Sequence, residues 1–402
     1  MLLVNGHVVD VVEGRVLRNC CVEVQGDRIS KVGERWGSGG QEDTVDLRGA
    51  YLLPGLISVH THLSVVYPFS ATDASEHGGT SCLRALTRAR DALNAGITTL
   101  RCVHEQNRAD LILREAGKEG WVEVPTIVGA GRGISTTGGH GSGMATAYAD
   151  GADEFRRAAR EEFQAGADHV KIFITGGLAD PEEALVQQMT VGEMSAVVDA
   201  AAAHNSYVVA HAGSSAAIRS ALSVGVRSFE HAYELDAETA QLMSAAGAFL
   251  TPTLCVTRSP EWMSDHHFSQ EQIRRALEVG PGHLESIRRA IRAGVTLVNG
   301  TDYPPGSAMD GTVVAVREAE FLVEAGLTPV EALRASSTSA AELIHRAGEV
   351  GRVAEGMVAD VIAVEGDPTE DLAALHNVRM VIHRGNVVRS IYPVISGRSE
   401  VA

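Results

Sequence analysis

The chain has 402 residues, with 34 Lys+Arg against 51 Asp+Glu and therefore a formal charge of −17. At 45% hydrophobic and 21% charged residues it has ordinary globular composition, which excludes a disordered chain, and the acidic balance excludes a nucleic-acid surface, which needs basic patches for phosphates. Five cysteines without a CxxC pair exclude a disulfide framework or a zinc ribbon, no apolar run approaches the ~20 residues that span a bilayer, and the N-terminus lacks a basic-then-apolar leader, so a cytoplasmic, membrane-free protein is expected.

The first stretch reads as short strands. LLVNGHVVD, CVEVQGDRISKVG and TVDLRGAYLLPG alternate apolar and polar residues between Gly, Asn and Asp turns. The pattern then changes to short apolar runs at 56–59, 98–103, 126–130, 169–174, 207–210, 227–230, 249–253 and 296–300. Helical segments separate them, among them CLRALTRARDALNAG, ADEFRRAAREEFQAG, VGEMSAVVDAAAAHN and HLESIRRAIRAG, several closed by a Gly just before the next strand. Eight strands alternating with helices predict an α/β fold, a (β/α)8 TIM barrel. The stretch 257–282, with its Pro, Trp and paired His, is expected as an insertion after the seventh strand that could form a lid. MVADVIAVEGDP and VRMVIHRGNVV then repeat the strand pattern of the N-terminus.

In such a barrel the active site lies at the C-terminal strand ends. The first strand ends in His60-Thr61-His62, and residues two apart on a strand point to one side, so both imidazoles can reach one metal ion. The fourth strand carries Lys171, the fifth ends at His211, the sixth at His231 and the eighth at Asp302. A Lys inside an apolar strand is costly without a function. Each residue alone has an ordinary explanation, His231 as a packed core side chain and Asp302 as a turn or cap; six such residues at five strand ends do not.

The words PGLISVHTHL, NAGITTLR, HVKIFITGG, VVAHA, FEHA, NGTDYP and GRVAEGMVADVIAVEGDP resemble the amidohydrolase superfamily of metal-dependent hydrolases. TTGGHG around His140, and Tyr233 two residues past His231, look most like the imidazolonepropionase-like branch that contains Xaa-Pro dipeptidases. The resemblance covers nearly the whole chain. It implies a barrel over 56–345 and a small β-sandwich built from 1–55 and 346–402. It implies that His60, His62 and Asp302 hold the more buried metal and that His211 and His231 hold a second. Lys171, carboxylated by carbon dioxide, would bridge the two divalent ions, expected to be zinc.

A metal-bound hydroxide would then attack the substrate carbonyl, with Asp302 taking its proton and delivering it to the leaving amine. His140 and Tyr233 would bind substrate and stabilise the oxyanion. The expected activity is cleavage of a C–N amide-type bond in a dipeptide or N-acyl amino acid, with small-molecule amides, carbamates or aryl ureas as the alternative. Arg132 in GAGRGIS is the candidate cation for a substrate carboxylate, whereas Asp180, Glu182 and Glu183 near the entrance disfavour an anionic substrate. The chain departs from the family in reading Arg101-Cys102 where many relatives read Arg-Asp. A mononuclear deaminase or imidazolonepropionase-type ring opener would place an acid three residues past the fifth-strand His, where this chain has Ser214, and would not need Lys171. A non-catalytic scaffold would have lost ligands, and all six stand here. His104 and His169 are expected in core or rim roles. The partner is a small-molecule substrate, and barrels of this type often associate, so a homo-oligomer is expected.

Overall fold

The computed structural model describes residues 1–34, 43–178 and 184–395. Strands from both chain ends join in one sheet, in the order Asn386–Ser390, Val378–His383, Val361–Val364, Tyr51–Pro54, Leu2–Asp10, Arg15–Gln25, Arg28–Glu34. The two ends meet where Tyr51–Pro54 runs antiparallel to Val361–Val364 and parallel to Leu2–Asp10. The period-2 alternation gives this sheet two apolar faces. Leu52, Val361 and Ala363 enter one core with Leu3, Val8 and Val22. Leu53, Ile362 and Val364 enter another, against Ala85, Ala89 and Leu93 of the helix Gly78–Asn94.

The central region carries eight parallel strands: β1 (Leu56–Thr61), β2 (Ile97–Cys102), β3 (Thr126–Gly129), β4 (Val170–Phe173), β5 (Val208–Ser214), β6 (Ser228–Glu234), β7 (Phe249–Thr251) and β8 (Thr296–Leu297). β1–β3 form one sheet; β4–β8 form a second, which also takes in Ile134–Ser135 and Ala147–Tyr148. The Val59 N–H donates to the Asn299 carbonyl (2.8 Å), and the Thr301 and Asp302 N–H groups donate to His60 (2.9 and 3.0 Å). The first strand therefore lies beside the chain leaving the last. Gly300 makes this approach possible: a Cβ there would stand 2.6 Å from His60 and 2.5 Å from Thr251.

The strand expectations hold in number and order, with shifted ends. β5 and β6 run on to Ser214 and Glu234, past 210 and 230, because each keeps its ladder with its neighbour that far. β8 stops at Leu297 instead of 300, since the Asn299 N–H turns away to the Ala335 carbonyl (2.9 Å). β4 starts at Val170, after His169.

The stretch 257–282 corrects the sequence reading more substantially. It holds α1 (Pro260–Asp265) and most of α2 (Gln270–Ala293), so the helix expected to begin near His283 begins thirteen residues earlier. Ser269 and Gln272 form a reciprocal capping box at its start, and Gly294 ends it in the left-handed conformation (φ 77°). Gly280-Pro281-Gly282 does not break it. Gly280 is small for a packing reason: a Cβ there would come within 2.9 Å of the Thr257 carbonyl oxygen. Among the described residues no helix is long and apolar enough to cross a membrane. Asp180, Glu182 and Glu183 lie outside the described residues.

Candidate metal centre and active site

His60, His62 and Asp302 converge as the strand periodicity requires. One Asp302 carboxylate oxygen lies 3.2 Å from His60 Nε2 and 2.9 Å from His62 Nε2, and one ligating atom from each of the three residues lies within 4.8 Å of the others. Asp302 reaches this point through a left-handed backbone (φ 61°). His231 stands beside them, 5.2 Å from His60 between ring centroids and 4.4 Å from His211. His231 and Ala232 also have positive φ (73° and 56°). Such backbone is costly outside Gly, and the surrounding packing holds it here at two candidate ligands, His231 and Asp302.

The hydrogen bonds choose which nitrogen of each His faces the centre. His60 Nδ1 is 2.5 Å from Glu230, and a carboxylate only accepts, so the proton sits on Nδ1. His62 Nδ1–H donates to the His104 carbonyl (2.8 Å). His231 Nδ1–H donates to Thr253 Oγ1 (2.7 Å), whose own hydrogen goes to the Pro252 carbonyl. These three imidazoles thus offer Nε2. His211 is reversed: Nε2–H donates to the Gly176 carbonyl (2.8 Å), leaving Nδ1 with the lone pair. Each ring is fixed by its far nitrogen, the arrangement that orients metal ligands.

Lys171 is 1% exposed, and its Nζ has no hydrogen-bond partner. It lies 5.5 Å from the Phe173 ring centroid. Burial pushes its pKa down to about 8. A buried amine without a partner is expensive as an ammonium ion. An uncharged amine can instead add carbon dioxide and lose a proton, giving a carbamate with two oxygen ligands. Four imidazoles, one carboxylate and this orphaned amine are a donor set suited to divalent metal.

A cavity of about 230 Å³ opens over these groups. His140 and Tyr233 line it, as the sequence indicated. The His140 ring lies 4.3 Å from that of His211, and burial lowers its pKa to about 4, so the ring is neutral. Its space depends on Gly177, where a Cβ would fall 2.1 Å from His140 Cε1. Tyr233 stacks on His231 at 5.2 Å and 12°. Phe69, Phe173, Leu178, Val256, Met263 and Phe268 make most of the remaining wall apolar.

Arg132 is a correction. It does not line the cavity; its guanidinium is bound to buried Glu162 (2.9 and 2.8 Å), which also holds Arg108. Among the described lining residues Lys171 is then the only lysine or arginine. Trp262 and His266 are not in the wall either. Trp262 is buried between Tyr303 (3.8 Å) and His266 (3.7 Å), while Met263, Phe268, Gln272 and Ala276 of the same stretch do reach the cavity. His104 and His169 are fully buried, His104 between Met144 and Gly133 and His169 stacked on Tyr207. Sequence reasoning missed Glu230 and the use of Arg101. The two form a buried pair (2.9 Å) directly beneath His60, with Arg101 also donating to Ser228 (2.9 Å) and to the Val59 carbonyl. The only signal was the Glu of FEHA, next to a proposed ligand.

Residues 51–388 match the Amidohydrolase family. The chain belongs to this family. The amidohydrolase is similar to ochratoxinase of Aspergillus niger, at 28% identity over 362 residues covering 83% of this chain and 74% of that protein. It is similar to a prolidase solved with N-methylphosphonate-L-proline, at 30% identity and a TM-score of 0.88 over 97% of this chain and 99% of that one. It is also similar to imidazolonepropionase of Cutibacterium acnes, at 26% identity over 392 residues covering 90% and 88% of the two chains. The amidohydrolase therefore has the TIM-barrel fold of its relatives, sits in the branch its motifs indicated, and is a hydrolase.

Proposed function

We propose that this amidohydrolase cleaves the C–N bond of an N-acyl amide whose acyl part is apolar, at a centre of two zinc ions. The observation that carries the reading is the buried, unpartnered Lys171 Nζ among four His and Asp302 under an apolar cavity. His60, His62 and Asp302 would hold one ion, His211 and His231 the other, with carboxylated Lys171 between them. When bound, the ions polarise the scissile carbonyl and lower the pKa of water. Asp302 takes the proton of the attacking water and passes it to the leaving nitrogen. His140 and Tyr233 donate hydrogen bonds to the carbonyl oxygen as negative charge builds there. The apolar wall orients the acyl group and excludes bulk water. In the same reading the eight strands close into one barrel over 56–345, and the terminal sheet folds as a sandwich from 1–55 and 346–402.

The absence of Arg132 from the cavity supports a neutral substrate over a dipeptide carboxylate. A dipeptidase is the second reading. It is favoured by the similarity to prolidase and by His140 and Tyr233, which can donate to a carboxylate as well as to an oxyanion. An assay of the zinc-loaded enzyme on N-acyl anilides, Xaa-Pro dipeptides and N-acyl amino acids separates the two. The anilides should be cleaved with kcat/KM at least about tenfold above the carboxylate-bearing compounds, each tenfold being about 1.4 kcal/mol of transition-state binding. Cleavage confined to carboxylate-bearing compounds would replace this reading with the dipeptidase one.

A further inference from the structure

The cavity over the candidate centre has a neighbour. A second cavity of about 320 Å³ lies against Leu178, Leu185, Tyr233, Val279 and Gly282, and Tyr233 and Leu178 line both. Helix α2 also serves both. Gln272 and Ala276, one turn apart, face the first cavity; Arg275, Val279 and Gly282, on the adjoining stripe, face the second. The two cavities thus share Leu178, Tyr233 and one helix, and lie side by side.

We propose that the second cavity is the distal acyl subsite, receiving the far end of a long apolar acyl chain that passes Tyr233 and Leu178. This rests on the amide-hydrolase reading above. The leaving nitrogen has to face Asp302, which lies on the His60 and His62 side. The acyl group is then directed to the opposite side, where Tyr233 stacks on His231. Leu178, Leu185 and Val279 supply the apolar contact for a methylene chain. Glu234 and Glu278 stand at the same cavity with Arg275, whose Nε is bonded to Glu271 (2.7 Å). Glu278 is itself paired with Arg274, so Glu234 is the acid whose charge selects against a chain ending in a carboxylate.

The test is a series of p-nitroanilides of one amine, from acetyl to decanoyl, with an ω-carboxylated chain of matched length, assayed on the zinc-loaded full chain. In the wild type kcat/KM should rise at least about tenfold along the series, and the ω-carboxylate should lose that gain, since each buried methylene contributes up to about 0.8 kcal/mol. Gly282→Trp is the blocking variant, because a Cβ at Gly282 meets open space. Its ratio of decanoyl to acetyl kcat/KM should fall to near one. A flat wild-type series with acetyl cleaved, an ω-carboxylate that keeps the gain, or an unchanged ratio in a folded Gly282→Trp would each overturn the subsite alone. Failure of every anilide, acetyl included, would overturn the amide-hydrolase reading and the subsite with it. If Gly282→Trp fails to fold, the wild-type series and its ω-carboxylate still decide.

Discussion

His60 shows how single atoms set the centre. Its Nε2 faces Asp302 because Nδ1–H is held by Glu230, and Glu230 is in turn held by Arg101. Glu230→Gln keeps the shape but can turn an amide N–H toward His60, which disfavours the required tautomer. Metal affinity should fall about 10–100-fold, measured on metal-free protein by competition with a chromophoric chelator; unchanged affinity would contradict this role. The convergence of the candidate ligands His60, His62 and Asp302 was legible at this scale, but their supports were not. His60 and His62 follow from strand period alone. Glu230 and His231 are adjacent, so an ideal strand would point them to opposite faces. Positive φ at His231 and Ala232 reconciles them, and nothing in two non-glycine residues announces it. Arg132 failed for a related reason: its partner Glu162 lies thirty residues on, in the helix Ala152–Gln164.

Helices carry the loops that position the candidate ligands. Glu318, in the helix Val314–Ala325, accepts the backbone N–H groups of Leu254 and Cys255 (2.7 and 2.8 Å), and so fixes the turn that begins at Thr253, the residue that orients His231. Burial raises the Glu318 pKa to about 7, against 4.5 in an unfolded chain. A raised folded pKa means stability present below 4.5 and lost as pH rises through 7. Glu318→Gln does not titrate there. Between pH 5 and 7 the wild type should therefore lose about 2 kcal/mol relative to the variant, read from denaturant unfolding at the two pH values. A constant difference would contradict the assignment. Element boundaries were the least legible feature. The sequence placed a helix only from His283, yet α2 runs from Gln270 through Gly280-Pro281-Gly282, and Gly280 is set by close approach to Thr257. That feature depends on a partner twenty-three residues away and leaves no local trace.

Over the whole molecule, the order of elements was plain in the sequence: alternation at both ends, βα units between them, ligand types at the strand ends. The −17 charge argued against a nucleic-acid partner in the sequence but did not locate a substrate. The substrate reading instead comes from cavity walls assembled by distant segments, Phe69, Phe173, Leu178, Val256 and Phe268, which no linear pattern groups together. What ties fold to activity is the claim that these segments close around a bridged pair of metal ions. The direct test is elemental analysis of wild type and Lys171→Ala, purified without added metal in bicarbonate buffer. About two divalent ions per wild-type chain and at most about one in the variant are expected, with loss of turnover. One ion or none in the wild type, or equal metal content in Lys171→Ala, would contradict it.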